Sequence, residues 1–296
     1  MNRSAAILAA SIALGAPAGV SAQEVDWSAV ERAMDRTGAA QPDGVHRFSM
    51  PRSDLKVTVD GVPVAPALAL GSWVAMAPLP DGTVLALGDL VLTQEEVQPV
   101  TSTLQEAEVM QTALHNHLLL ETPRVMYLHI YAEGDGVRIA RAIRAALART
   151  ATPGRAGPTG MRGELGLDTA GVAEALGHHG VAAGGVYKIS VPRPESIRVE
   201  GHEVPSSMGL ATSIGFQPTG GGKAAVTGDF VLVPAEVNPV IRALREHGIA
   251  VTGLHNHLLV DEPRLFFMHF WAVGDAVDIG GGLHAALGLI GTGSGR

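Results

Sequence analysis

Leu114-His115-Asn116-His117-Leu118-Leu119 recurs as Leu254-His255-Asn256-His257-Leu258-Leu259, and this second copy decides how the rest of the chain reads. Pro123-Arg124 recurs as Pro263-Arg264, His129 as His269, Gly134-Asp135 as Gly274-Asp275 and Gly88-Asp89 as Gly228-Asp229, all at one constant offset. From 112 to 147, about half of the positions are identical between the copies. Upstream, Phe48-Ser49-Met50-Pro51-Arg52 resembles Ile189-Ser190-Val191-Pro192-Arg193, with a one-residue slip afterwards. Two copies, not many, point to a pair of like domains rather than a solenoid.

Working outward, the spacing predicts strands near 45–50, 55–60, 72–77 and 83–92, with counterparts near 186–191, 196–200, 210–216 and 224–233. Ser28 and Glu31 form a capping-box pair for a first helix that Gly38 ends; Asp168 or Thr169 opens its counterpart, which Gly177 ends. A middle helix carries Val237, Val240, Ile241 and Leu244 on one face and starts either at Asn238-Pro239 or earlier, with Glu236 helical. A hairpin of 112–119 with 124–132, and of 252–259 with 264–272, precedes a final helix near 136–148 and 276–288. Strands dominate, so the fold class is α+β: two tandem homologous units, each a mainly antiparallel sheet flanked by helices. The units occupy 23–149 and 168–296, joined by a Pro/Gly-rich linker at 150–167.

The hairpin carries the chemistry. Residues two apart share a face of a strand, so His115 and His117 point one way. An odd-numbered loop such as 121–123 pairs His115 with His129 and gathers His115, His117, Tyr127, His129 and Tyr131 on one face; Leu114, Asn116 and Leu118 take the other. His255, His257, Phe267, His269 and Trp271 repeat the pattern. Three imidazoles within reach of one ion suit a divalent transition metal, zinc first, in each copy: His115, His117 and His129, then His255, His257 and His269. Six of the twelve histidines fall in this motif; His46, His178, His179, His202 and His247 read as surface or loop residues. Glu121 and Asp261 are the candidate general bases if the metal activates water, which makes a metal-dependent hydrolase the alternative to a metal-binding protein. A third reading is a metal-free module whose aromatic face docks a sugar or peptide. Arg124 and Arg264 suit salt bridges to Glu121 and Asp261 at the turn, and Asp89 and Asp229 either orient a histidine or mark a bulge. Gly220-Gly221-Gly222-Lys223 lacks the spacing of a phosphate loop and reads as a hairpin turn.

Composition narrows the classes. The chain has 296 residues, 46% hydrophobic and 17% charged, which is globular; the net charge of −8 speaks against a nucleic-acid partner. There is no cysteine, so disulfides and thiolate ligands are excluded and a metal must use His and carboxylate. No stretch beyond the N-terminus is long and apolar enough for a transmembrane segment. A small-molecule ligand fits this picture; the oligomeric state is open.

Gly228-Asp229-Phe230-Val231-Leu232, the segment 236–243, the Leu-His-Asn-His core, 207–209 through Gly222-Lys223, and Pro263-Arg264-Leu265-Phe266-Phe267-Met268-His269-Phe270-Trp271 resemble the LppY/LpqO family over nearly the whole mature chain. The resemblance implies a secreted bacterial domain of unknown function, often in two copies. It brings no activity. Some members are lipoproteins, an attribute that does not transfer to a chain without cysteine.

Arg3, the apolar run at 5–14 and Val20-Ser21-Ala22 have the order of a signal peptide at 1–22, which makes the protein periplasmic or secreted. N-terminal sequencing of protein from the periplasm or medium should therefore begin at Gln23; an intact Met1 there contradicts the processing.

Overall fold

The computed structural model describes residues 24–154 and 165–291. The expected signal peptide and most of the expected linker lie outside them. The first unit runs α1 (Trp27–Met34), β1 (Ala39–Ala40), β2 (His46–Pro51), β3 (Thr58–Val59), β4 (Val62–Pro63), α2 (Pro66–Ala69), β5 (Gly71–Pro78), β6 (Val84–Thr93), α3 (Gln94–Glu106), β7 (Met110–His115), β8 (Glu121–Thr122), β9 (Val125–Gly134) and α4 (Gly136–Leu147). The second repeats it as α5 (Thr169–Leu176), β10 (Val181–Ala183), β11 (Val186–Pro192), β12 (Arg198–Val199), β13 (His202–Glu203), a 3-10 turn at Ser206–Met208 in place of α2, β14 (Ala211–Gly220), β15 (Lys223–Leu232), α6 (Pro234–Glu246), β16 (Ala250–His255), β17 (Asp261–Glu262), β18 (Phe266–Asp275) and α7 (Ala276–Leu287). Each unit holds a six-stranded sheet, β1-β2-β5-β6-β9-β7 or β10-β11-β14-β15-β18-β16, and a three-stranded one, β4-β3-β8 or β13-β12-β17. The strand pairs are antiparallel, so the α+β class holds, as does the duplication.

Strand alternation sorts the side chains into two layers. Even-numbered residues of β5, β6 and β9 (Val74, Met76, Ala86, Leu90, Leu128, Ile130) pack on Val30, Val100, Leu104 and Ile143 of the helices. The second unit builds the same layer from Phe216, Val226, Met268 and Phe270 against Val172, Val240 and Leu283. The odd-numbered faces then meet each other. Ala75, Leu85, Leu87 and Tyr131 of the first unit share one buried cluster with Val199, Met208, Val231, Leu258 and Phe267 of the second. Trp271 likewise packs against Val59, Leu70, Leu118 and Tyr127 of the first unit. The order of layers is helices, sheet, sheet, helices, and β6 is buried along all but its last residue because both of its faces are covered.

Several local expectations shift. Of the segment at 55–60 only Thr58–Val59 is strand: this is β3, which pairs with β4 on one side and β8 on the other. Asp26, not Ser28, caps α1, accepting from the Ala29 amide at 3.0 Å, and Asp35 in the left-handed region ends it ahead of Gly38. His46 is buried, not superficial: it stacks on Trp27 and bonds Glu31 at 3.0 Å. Helix α6 starts at Pro234 and takes Pro239 into its interior; its start is set by Glu236, whose carboxylate accepts from the Val233 amide at 2.9 Å. Asp168 and Gly177 do cap α5, and Gly221-Gly222 is the turn between β14 and β15.

A buried arginine locks each unit. Arg193 donates to the Val231 carbonyl at 2.7 Å, to both Glu236 oxygens at 2.7 and 3.0 Å, and to Glu195. Arg52 does the same with the Val91 carbonyl, Glu96 and Asp54. With side-chain exposures of 1% and 3%, Arg193 and Glu236 are each other's compensation. Replacing Arg193 by Met strands the carboxylate, so urea unfolding should show a loss of about 3–5 kcal/mol; a change below about 1 kcal/mol, the range of exposed pairs, would show that the lock carries no stability.

Candidate metal centre

Strand β9 places His129 on the odd face, directly opposite Asp89 of β6 on one side and Ala113 of β7 on the other. Strand β18 sets His269 opposite Asp229 and Gly253 in the same way. The pairing is continuous along β6–β9 and β15–β18, so Asp89 and Asp229 sit in regular ladder positions and not in bulges. The glycine before each aspartate serves the opposite face: a Cβ on Gly228 would overlap the Ser213 carbonyl of β14.

The hairpin register differs from expectation. His115 pairs with Tyr127, not His129, and β7 carries a bulge between Gln111 and Ala113. His117 lies beyond the end of β7, in a connection much longer than a tight turn, because Glu121–Thr122 leaves to pair with β3. The parity still holds, so the histidines of one copy share a face. Leu118 and Leu258 nevertheless turn into the clusters between the units, while Leu114 and Leu254, on the edge strands, are 44% exposed.

Because the odd faces pack on each other, the two histidine sets become one cluster. Ring centroids lie 3.6 Å apart for His115 and His255, 3.8 Å for His117 and His269, and 3.6 Å for His129 and His257, a pseudo-twofold set in which each close contact crosses between units. Tyr127 stacks on His117 and Phe267 on His257 at the ends. Thr252 donates to the His117 carbonyl at 2.6 Å, another link across the units. Two groups of ligand atoms lie within 4.8 Å of one another: His115, His117 and His129, and His115, His255, His257 and His269. The separate three-histidine sites expected per copy therefore overlap at His115.

The electrostatics are those of a buried site. Burial pushes His115 down to about 3, with His255 adding to the effect, and His255 to about 4. Burial also holds His117, His129, His257 and His269 well below 6.5, so all six imidazoles are neutral and their nitrogens are available as donors to a metal. Burial raises Asp89 to about 8 against the pull of Arg47, and raises Asp229 well above the usual carboxylate range, with Asp89 contributing. Asp89 lies 3.9 Å from His129; Asp229 lies 4.0 Å from His257 and 3.8 Å from His269. The Nε2 atoms of all six histidines and one oxygen of each aspartate are buried without a hydrogen-bond partner. Each such atom costs about 1–3 kcal/mol in a protein interior unless something satisfies it.

Both oxygens of Asp261 and one of Glu121 are engaged in the loop, while Glu121 Oε2 is buried without a partner. Glu121 accepts from the Val125 amide and from Asn116, and Asp261 from the Leu265 amide and Arg264 at 2.8 Å. They shape the histidine loop and stand in neither ligand group. The aromatic docking face is also corrected: Tyr127, Tyr131 and Phe267 are at most 5% exposed and belong to the packing between the units. Sequence reasoning missed Arg47 and Lys188, which occupy equivalent positions on β2 and β11 and line a cavity beside the cluster. The signal was present: extending the matched block 48–52 back by one residue aligns two cations.

Comparison with known proteins follows the same outline. A domain described as Domain of Unknown Function (DUF1259) matches residues 28–149 and 170–289. That description supports the tandem domain but does not carry the LppY/LpqO name. No curated protein matches the chain at a significant level. Among solved structures, the trimeric bacterial microcompartment shell protein PduB is similar at 10% identity over 85% of this chain and 89% of its own, with a TM-score of 0.21. EtuB from Clostridium kluyveri is similar at 9% identity over 85% and 88%, also at 0.21, and at that score neither likeness bears on fold or function. No helix among the described residues is long and apolar enough to cross a membrane. With most of its length matched in two successive regions, the chain belongs to the DUF1259 family of domains of unknown function and carries the domain twice.

Proposed function

We propose that this is an exported metal-binding protein whose histidines hold a divalent transition metal, zinc first, at the interface of its two units, with His115, His117 and His129 or His115, His255, His257 and His269 as the ligand set. The observation that carries this is the set of buried, unpartnered Nε2 atoms converging from both sheets beside a buried oxygen of Asp89 and of Asp229. A metal in either ligand group satisfies the nitrogens of that group, and neutral imidazole with no thiolate suits zinc, copper or nickel. Export rests on the N-terminal sequence pattern. A metal-dependent hydrolase is the second reading, favoured by the cavity that reaches His117, His129, His257 and His269. In that reading Asp89 or Asp229, beside the imidazoles, joins Glu121 and Asp261 as a candidate proton acceptor, once the charge of a bound metal has displaced its proton.

Elemental analysis of protein purified without a polyhistidine tag should find bound transition metal. His117→Ala should lose uptake at the three-histidine group, His257→Ala at the four-histidine group, and His115→Ala should impair both. Unchanged metal content in a His115→Ala/His257→Ala variant would leave the cluster as packing alone.

Metal-free protein should show the cost of the site in its pH dependence. Folded Asp89 keeps its proton up to about 8, whereas the unfolded chain loses it near 3.8, so stability falls as pH rises through that window. The depressed histidines act oppositely: the unfolded chain takes up protons first, and stability falls as pH drops below 6.5. In the presence of a chelator, Asp89→Asn should flatten the fall in Tm between about pH 6.5 and 8. An undiminished slope would mean that Asp89 is ionised in the apo fold.

A further inference from the structure

The two approaches to the cluster are not alike, although the backbone around them is duplicated. On the inner faces, the row Arg47, Ala75, Leu87, Tyr131 of the first sheet corresponds to Lys188, Gly215, Thr227, Trp271 of the second. In the neighbouring row, Trp73 beside Asp89 corresponds to Ser213 beside Asp229. On one side Trp73 and Leu87 close the approach, leaving a crevice of about 20 Å³. On the other, Ser213 and Thr227 leave a cavity of about 230 Å³ that runs on to one face of Trp73 and reaches Asp89, Asp229 and four of the histidines. Both cations, Arg47 and Lys188, line this open side.

Their charges are uncommitted. Arg47 lies over the Trp73 ring at 4.1 Å and donates to the Ser207 carbonyl at 2.7 Å, and Lys188 is exposed. Among the described residues neither has a carboxylate within salt-bridge distance. A divalent ion in the cluster neutralises the two aspartates that would otherwise answer these cations. The open side then carries two positive charges, an exposed hydroxyl on Ser213 and a metal, in a space smaller than the ~300 Å³ at which pockets for drug-sized ligands begin.

We infer that the open cavity is a binding site for a small oxyanion, a carboxylate or phosphate group, which reaches the metal through Ser213 and Thr227 and is held by Lys188 and Arg47. This rests on the metal reading above. Lys188 is the cleaner test, because Arg47 also joins the two units. The full-length protein is loaded with Cu²⁺, its metal content measured, and acetate or inorganic phosphate titrated while the copper absorption band and its electron paramagnetic resonance signal are followed. A saturable change with either anion is expected, and the two arms distinguish carboxylate from phosphate. Lys188→Gln should weaken it by about tenfold or more, the value of one charge-assisted hydrogen bond, and Lys188→Arg should restore it. Ser213→Trp, which copies the closed side, should abolish the response with copper content unchanged. A copper-loaded protein that shows no saturable change, or a Lys188→Gln variant that titrates like the parent, overturns the anion site and leaves the metal site standing. No copper uptake, seen before any anion is added, overturns both.

Discussion

Everything at the centre of this molecule follows from the packing of two sheet faces that have nowhere else to turn. The outer face of each sheet is filled by its own helices, through Leu128 and Ile130 on one side and Met268 and Phe270 on the other. The inner faces must therefore bury each other, and they carry His129, Asp89, His269 and Asp229 in their middle rows. A rim of apolar residues, Leu87, Tyr131, Val231 and Phe267 among them, makes the contact favourable and covers one side of the polar centre. The low dielectric that results keeps the imidazoles neutral and the carboxyls protonated in the metal-free fold. It also makes each unpartnered nitrogen expensive, which marks the cluster as a place for a ligand.

The rigidity of that centre has a visible source. Arg52 holds the Val91 carbonyl, two residues along β6 from Asp89, and ties it to Glu96 at the start of α3. Arg193 holds Val231 beside Asp229 and ties it to Glu236 in the same way. The strand that carries each aspartate is thus fixed to the helix that covers its back. The histidine loops are fixed separately, through Glu121 on the Val125 amide and Asp261 on the Leu265 amide. The same two carboxylates that the sequence offers as candidate bases also place the histidine loops.

Legibility in the sequence followed the range of the interactions. The duplication could be read because identical residues recur at one offset, and the strand parity of His115, His129 and their counterparts and the caps at Asp168 and Gly177 could be read because they depend on residues near one another in the chain. The small sheets could not, because two-residue strands such as β3 and β8 have no periodicity and exist only by pairing across the unit. The start of α6 was ambiguous because Pro239 looked like a first-turn proline, whereas the Glu236 carboxylate on the Val233 amide sets the start earlier. Nothing local signals that His115 would meet His255. That contact depends on the docking of two sheets, and one copy read alone leaves the histidine face looking exposed.

Duplication within one chain also permits something that a dimer of identical chains does not. In a symmetric pair, any residue that opens one approach to the centre opens the other. Here the ligand residues stay matched while their neighbours diverge: Trp73 against Ser213, and Leu87 against Thr227. Trp73 reaches across to the second unit, where Gly209 has no side chain to block it; a Cβ there would lie 2.7 Å from the indole. The side of Leu87 is narrowed to a crevice beside His129 and His257, while the side of Thr227 keeps a cavity that reaches four of the histidines. A symmetric set of donors with an asymmetric surround can hold a metal and still present it in one direction, and the covalent link between the two copies is what lets that difference be encoded.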